Sequence, residues 1–275
     1  MTAPEDRIEA YHRFLEDHPP QRVQGVEVYA LGEGPVLLFL HGMAGDGSAW
    51  WQQLVHFQDR YRVLAPTYPD AQNLFDLTER ILSALDALEV TRFAVVGSSL
   101  GGYLAQYLVK RVPDRILAAV FANTFPPTEA IERKNRPLVL FARLLPERVV
   151  QAAFVRHIER VIVPAGDGDP FLRYYLMQNA KRLKKKSLLA RWRALISRFP
   201  PPEPEMPHLL VEATNDPLIP ESLRAALRAT YPKAKRFVFE GGGHFPYLNR
   251  PQAYNAMLRD FLSSSGMDKS PPSSR

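Results

Sequence analysis

The segment Val95 to Gly102 reads Val-Val-Gly-Ser-Ser-Leu-Gly-Gly, an apolar strand that runs into Gly97-Ser98-Ser99-Leu100-Gly101 with a helical pattern directly behind it. A serine with glycines two residues before and two after it sits on a strand-to-helix turn too sharp for ordinary neighbours. The backbone strain of that turn lifts the serine hydroxyl clear of the sheet. The feature commits the chain to a fold in which a buried strand feeds a helix, and it makes Ser99 the candidate nucleophile. Ser98 is the competing serine, but the glycine spacing centres on Ser99 and leaves Ser98 as a packing neighbour.

Around this turn, short apolar runs alternate with helical patterns. Strands are expected at Val36 to Leu40, Arg62 to Ala65, Phe93 to Val96 and Ile116 to Ala122. Helices are expected near Ser48 to Phe57 and over Leu74 to Leu88 and Ser99 to Val112. Ahead of them, Ile8, Tyr11 and Leu15 at helical spacing mark an N-terminal helix ended by Pro19-Pro20, and Val23 to Leu31 reads as a hairpin-like strand. Continuous apolar strands alternating with helices imply a mostly parallel sheet covered on both faces.

After Asn123-Thr124-Phe125-Pro126-Pro127 the alternation stops, and a long Arg-rich helical stretch intervenes before Pro207. Strand signals resume at Leu209 to Ala213 and Arg236 to Phe239, with helices over Glu221 to Tyr231 and Pro251 to Leu262. With 275 residues, 46% of them apolar, the chain can bury one large core. The expected layout is a core in two parts, residues 1–125 and 207–262, interrupted by a helical cap at 126–206. Pro126-Pro127 and Pro200-Pro201-Pro202 would be its hinges. A Ser/Pro-rich tail at 263–275 is expected to be disordered.

Acyl transfer at serine needs a base for the hydroxyl proton, an acid to orient that base, and two donors for the tetrahedral oxyanion. Ser99, Asp216 and His244 follow one another in the chain order nucleophile, acid, base, each expected at the carboxyl end of a sheet strand. Asp216 lies in Asn215-Asp216-Pro217 just after a strand, with Asp70 and Asp46 as weaker rivals. His244 follows the flexible Gly241-Gly242-Gly243 and precedes Phe245-Pro246. The oxyanion donors would be the backbone N–H groups of Leu100, at the positive end of the elbow helix, and of Met43. His41 and Gly42 form the supporting loop, in which His41 holds the loop by hydrogen bonding. The other histidines, His12, His18, His56, His157 and His208, show no ligand spacing, and there is no phosphate-binding or dinucleotide glycine motif. No cofactor and no metal is expected.

The chain has no cysteine, which excludes disulfides, thiolate metal sites and a cysteine nucleophile. With Glu5 and Asp6 near the N-terminus and no long apolar stretch, neither a signal peptide nor a membrane span is expected, and a cytoplasmic location fits. The net charge of +6 conceals a segregation. Between Glu132 and Arg198 there are 16 Lys and Arg against 5 Asp and Glu, a local +11, while the remainder is acidic. A solvated helix face explains such a run most simply, and Lys181 to Lys186 is expected on one helix whose apolar partners are Leu183, Leu188 and Leu189. Acidic substrates, nucleic acid, or weak contact of this basic cap with an anionic surface such as lipid are the alternatives. No nucleic-acid module is present, so the expected partner is a small-molecule acyl substrate, with the oligomeric state left open.

Through His41-Gly42, Gly97-x-Ser99-x-Gly101, Asp216 and His244 the chain resembles the α/β-hydrolase superfamily over roughly Gly25 to Leu262. The resemblance implies the α/β-hydrolase fold and, by default, ester hydrolysis. Thioester, carbon–carbon and lactone cleavage use the same triad and stay open. Epoxide-hydrolase and dehalogenase branches place an aspartate where this chain has Ser99. Within the superfamily the chain looks most like maspardin-type proteins, through Ser99 to Gln106, Ala122 to Phe125 and Gly241 to Leu248. Animal maspardin carries asparagine where His244 stands and is viewed as a non-catalytic binding protein. That resemblance therefore implies an interaction protein on the same fold as the alternative, from which His244 is a departure toward activity.

Overall fold

The computed structural model describes residues 4–267. Helix α1 (Pro4–Asp17) buries Tyr11 and Phe14 against the body. Strands β1 (Gln21–Val23) and β2 (Val26–Leu31) form an antiparallel hairpin. Between them Gln24 and Gly25 both take positive φ, +49° and +79°, as a two-residue hairpin turn requires if its twist is to match the paired strands. Alternation then follows as expected, through β3 (Val36–Leu40), α2 (Trp51–Phe57), β4 (Arg62–Thr67), α3 (Leu74–Ala87), β5 (Phe93–Ser98), α4 (Leu100–Arg111) and β6 (Ile116–Ala122). Five helices come next, α5 (Glu129–Leu144), α6 (Glu147–His157), α7 (Val163–Ala165), α8 (Pro170–Arg182) and α9 (Lys185–Leu195). The chain returns to the sheet with β7 (His208–Ala213), α10 (Glu221–Thr230), β8 (Lys235–Phe239), α11 (Pro246–Asn249) and α12 (Pro251–Ser264).

The eight strands lie in the order β1-β2-β4-β3-β5-β6-β7-β8, antiparallel where β2 meets β1 and β4 and parallel elsewhere. All five residues of β3 are buried. Leu37 and Phe39 pack on one face with Trp50, Leu54, Phe171 and Tyr254, while Leu38 and Leu40 pack on the other with Leu77, Ile81 and Leu104. A strand covered on both faces has no polar side to show, so its sequence is a continuous apolar run. Because β3, β5, β6 and β7 are parallel neighbours, their carboxyl ends open at one edge of the sheet. The residues that follow them there are His41, Ser99, Asn123 and Asp216.

Two expectations need correcting. The basic run Lys181 to Lys186 does not occupy one helix: α8 ends at Arg182, Leu183 and Lys184 are extended, and α9 starts at Lys185. The break is stabilised from the side. Gln151 donates to the carbonyls of Ala180 and Lys181 at 3.0 and 2.8 Å, satisfying the last turn of α8. Lys185 Nζ in turn donates to the carbonyls of Arg143 and Leu145 at 2.8 and 2.6 Å, at the end of α5.

The tail does not begin at Ser263 either. Helix α12 runs through Ser264 and closes with Gly266 at φ +77°, Met267 N–H bonded to Leu262 O and Gly266 N–H to Ser263 O. That pattern is a left-handed helix cap, and it buries Met267 in the core. The rest of the expected tail, 268–275, lies outside the described residues.

Candidate active site

Ser99 joins β5 to α4 with φ +57° and ψ −118°, a conformation that costs a side-chain-bearing residue free energy. The flanking glycines are required sterically. A Cβ on Gly97 would lie 2.1 Å from the carbonyl oxygen of Gly101, and a Cβ on Gly101 would lie 2.0 Å from that of Leu40. Neither position has room for any other residue. Ser98 is fully buried and its Oγ has no hydrogen-bond partner, whereas Ser99 is partly exposed.

His244 and Asp216 meet directly. The imidazole Nδ1 lies 2.8 Å from Asp216 Oδ2 and 3.0 Å from Oδ1, with both side chains buried. A carboxylate only accepts, so Nδ1 carries the proton and Nε2 is the ring's free basic nitrogen. Asp216 Oδ1 also accepts the backbone N–H groups of Leu218 and Ile219, at 2.9 and 3.1 Å. Asn123 Nδ2 donates to Oδ2 at 3.0 Å. Burial alone would raise the Asp216 pKa, but His244, Asn123 and the Leu218 N–H outweigh it and hold the carboxyl below its usual range. Asn215 links the two loops. Its Oδ1 accepts Gly243 N–H at 2.9 Å, and its Nδ2 donates to Ala165 O of α7 at 2.8 Å.

The rival aspartates are engaged elsewhere. Asp70 pairs with Lys186 at 3.1 Å. Asp46 caps the short 3-10 turn Gly47–Trp50, accepting Ser48 N–H at 3.0 Å and Tyr175 OH at 3.2 Å.

The His41-Gly42 loop lies against the serine: a Cβ on Gly42 would sit 3.3 Å from Ser99 Cβ and 3.8 Å from Ser99 Oγ. His41 is fully buried, and burial first, then the charge of Arg191, push its pKa well down. It is therefore a neutral imidazole. Its Nε2 accepts Tyr68 N–H at 3.3 Å, so Nδ1 donates to Gly42 O at 2.7 Å. That carbonyl shares a planar trans peptide with Met43 N–H, so fixing one end fixes the direction of the other. Leu100 N–H is fixed in the same way, since its peptide carbonyl, Ser99 O, accepts Thr124 Oγ1 at 2.8 Å and Tyr103 N–H at 3.0 Å. Both N–H groups expected to face an oxyanion thus belong to peptides held from behind.

Two residues of this arrangement escape a reading of the sequence. Asn123 directly follows β6 next to the acid, with positive φ (+45°), and its sequence signals, a place just past a strand and within Ala122 to Phe125, do not tie it to the acid. Arg191 lies on the apolar face of α9, in register with Leu188 and Leu195, and is buried. Its Nη1 donates to Met43 O at 2.6 Å and Gly45 O at 2.8 Å, while Nε has no partner. An arginine at helical spacing with two leucines is the signal that would have singled it out. Among the described residues, no group of three or more His, Cys, Asp or Glu side chains could hold a metal ion, and no helix is long and apolar enough to cross a membrane.

Residues 37–257 match the model of the alpha/beta hydrolase family. Among curated proteins, the chain is similar to RutD of Enterobacter cloacae, whose name provisionally assigns it carbamate hydrolysis, at 27% identity over 84% of this chain and 92% of that one. It is also similar to the pimeloyl-[acyl-carrier protein] methyl ester esterase of Vibrio campbellii, at 25% identity over 85% of this chain and 97% of that one. Among solved structures, the enol-lactonase from Burkholderia xenovorans shares the fold with a TM-score of 0.70 at 21% identity, covering 89% of this chain and 100% of that one.

Proposed function

The chain belongs to the alpha/beta hydrolase family, and on that premise we propose that it is a serine hydrolase cleaving carboxylic esters of small or medium acyl groups. Ser99 Oγ attacks the acyl carbon as its proton passes to His244 Nε2, and Met43 and Leu100 N–H bind the oxyanion. The C–O bond to the leaving alcohol then breaks as His244 returns the proton to that alcohol. Water attacks the acyl-enzyme in the same way, giving its proton to His244, and Ser99 Oγ takes the proton back as the acid leaves. Asp216 orients His244 and stabilises the imidazolium. The chemistry needs no cofactor, and a chain without cysteine suits the cytoplasm.

The observation that carries this reading is the buried bond from His244 Nδ1 to a carboxylate with a lowered pKa, which places the ring proton on Nδ1 and leaves Nε2 its lone pair. The same bond favours catalysis over the non-catalytic reading that the maspardin-like resemblance suggests. The methyl ester esterase among the relatives supports an ester over a thioester or a carbon–carbon bond. The test is covalent labelling with a fluorophosphonate followed by peptide mass spectrometry. The label is expected on Ser99, with Ser99→Ala unlabelled, folded by circular dichroism and inactive on p-nitrophenyl esters. A label elsewhere, or an active Ser99→Ala protein, overturns the proposal.

A further inference from the structure

The corner where α5 passes into α6 exposes apolar side chains that the fold leaves uncovered. Leu144 is 77% exposed, Leu140 64%, Phe141 63% and Val149 47%. They lie on either side of the turn through Leu145 and Pro146 that joins the two helices. Arg143 and Arg148 are exposed between them. The bonds from Lys185 to Leu145 O and from Gln151 to Lys181 O bring the α8–α9 junction alongside, adding the exposed Lys181 and Lys184, while the Lys185 ammonium stays bonded to the end of α5. Of the acidic residues nearby, Glu147 sits at the Lys185 N–H, and Glu132 lies within 3.7 Å of both Arg136 and Arg198. The inner side of the same corner reaches the candidate site: Ala142, Val150 and Leu188 form a small cluster against which Met43 packs.

We infer that this corner docks on an anionic lipid surface, inserting Leu140, Phe141 and Leu144 while the surrounding Arg and Lys side chains meet the headgroups. Protruding apolar side chains enter a lipid interface without needing a shaped receptor, and a cationic surround selects anionic lipid. The attachment is to the surface alone, since no described helix could span a bilayer. It deepens the proposed function, and in this part rests on it: Met43, the proposed oxyanion donor, lies directly behind the docked corner, so the ester reaching Ser99 is one carried in that surface.

The test is co-sedimentation of the full chain with phosphatidylcholine vesicles, with and without phosphatidylglycerol, alongside hydrolysis of a soluble p-nitrophenyl ester. Binding is expected to be at least about tenfold stronger with the anionic lipid and to weaken as salt shortens electrostatic range below about 8 Å. Phe141→Asp/Leu144→Asp is expected to lose that binding about tenfold or more while soluble-ester turnover is unchanged. No sedimentation with anionic vesicles, or equal sedimentation of the double variant, overturns the inference. So does gel filtration showing that the patch is instead covered by a second copy of the chain. Binding that persists in a protein with no esterase activity leaves the docking surface standing and removes the hydrolase reading, which separates the two failures.

Discussion

Arg191 Nη1 on α9 donates to Met43 O at 2.6 Å across 148 positions of sequence, so the helical insertion and the loop beside Ser99 are joined by a buried, charge-assisted bond. The guanidinium also holds Gly45 O at 2.8 Å, which pins the loop at a second carbonyl. Burial pulls the Arg191 pKa down, and the charges of Asp46 and Asp70 and the tyrosines Tyr68 and Tyr175 work against that pull. The hydrogen-bond acceptors of the guanidinium are the two loop carbonyls.

Arg191 is thus a positioning residue for the proposed oxyanion hole. Losing the alignment of one such donor costs about two orders of magnitude in kcat, so Arg191→Met is predicted to lower kcat about 10- to 100-fold with KM little changed. Arg191→Lys should recover only part of it, because an ammonium lacks the planar fork that spans two carbonyls. Steady-state kinetics on a soluble ester, with thermal melts to confirm folding, checks this. A KM effect alone, or a full rescue by lysine, would assign Arg191 to packing.

His244→Asn keeps a hydrogen-bonding side chain beside Asp216 but removes the proton acceptor. General-base catalysis is worth about two to four orders of magnitude, and triad members act as a unit, so kcat should fall at least that far. Fluorophosphonate labelling of Ser99 should slow in parallel, whereas binding of a non-hydrolysable ester analogue, followed by calorimetry, should persist. Near-normal turnover in this variant would move the base elsewhere.

His41 gives a pH dependence of stability with a definite sign. Its folded-state pKa lies well below the ordinary value of 6.5, so the unfolded chain binds a proton at His41 that the folded chain refuses. Stability from this group is complete above pH 6.5 and declines as pH falls below it, because the unfolded state then holds more protons. Melting temperatures measured from pH 8 down to pH 5 should drop, and His41→Asn should flatten that part of the curve. An unchanged slope in the variant would refute the assignment of His41 as a buried neutral imidazole.

The strained serine makes a further prediction. A non-glycine residue at φ +57° stores about 1–3 kcal/mol, so Ser99→Gly should be more stable than Ser99→Ala by about 1 kcal/mol in urea unfolding. Gly101→Ala should do the reverse, since its Cβ would meet Leu40 O at 2.0 Å. It is expected to destabilise the protein by several kcal/mol, as overpacking against rigid backbone does. If Gly101→Ala unfolded like the parent, the turn would have more freedom than its contacts allow.

How much of this was readable beforehand follows from the range of the forces involved. The elbow is written in five adjacent residues because its sterics are local: the clashes that exclude side chains at Gly97 and Gly101 arise in the turn itself and in the neighbouring strand end at Leu40. The strands were legible because burial on both faces leaves an unbroken apolar run such as Val36 to Leu40. Even the ordered end of α12 was signalled, by Gly266 followed by Met267, though the surrounding serines disguised it.

What tertiary structure alone decided was which distant groups satisfy one another. Asn123 reaches Asp216 only because β6 and β7 are parallel neighbours. The break between α8 and α9 depends on Gln151 of α6 reaching the end of α8 and on Lys185 of α9 reaching the end of α5. Arg191 is buried because two carbonyls of a loop far away in sequence accept its protons. A buried polar group is stable only when its hydrogen bonds are met, and a sequence names the donors and acceptors without saying which will be within 3 Å of each other. Local backbone geometry and hydrophobic periodicity therefore determined the elbow and the sheet, while the packing of the insertion on the core determined how the loops around Ser99 are held.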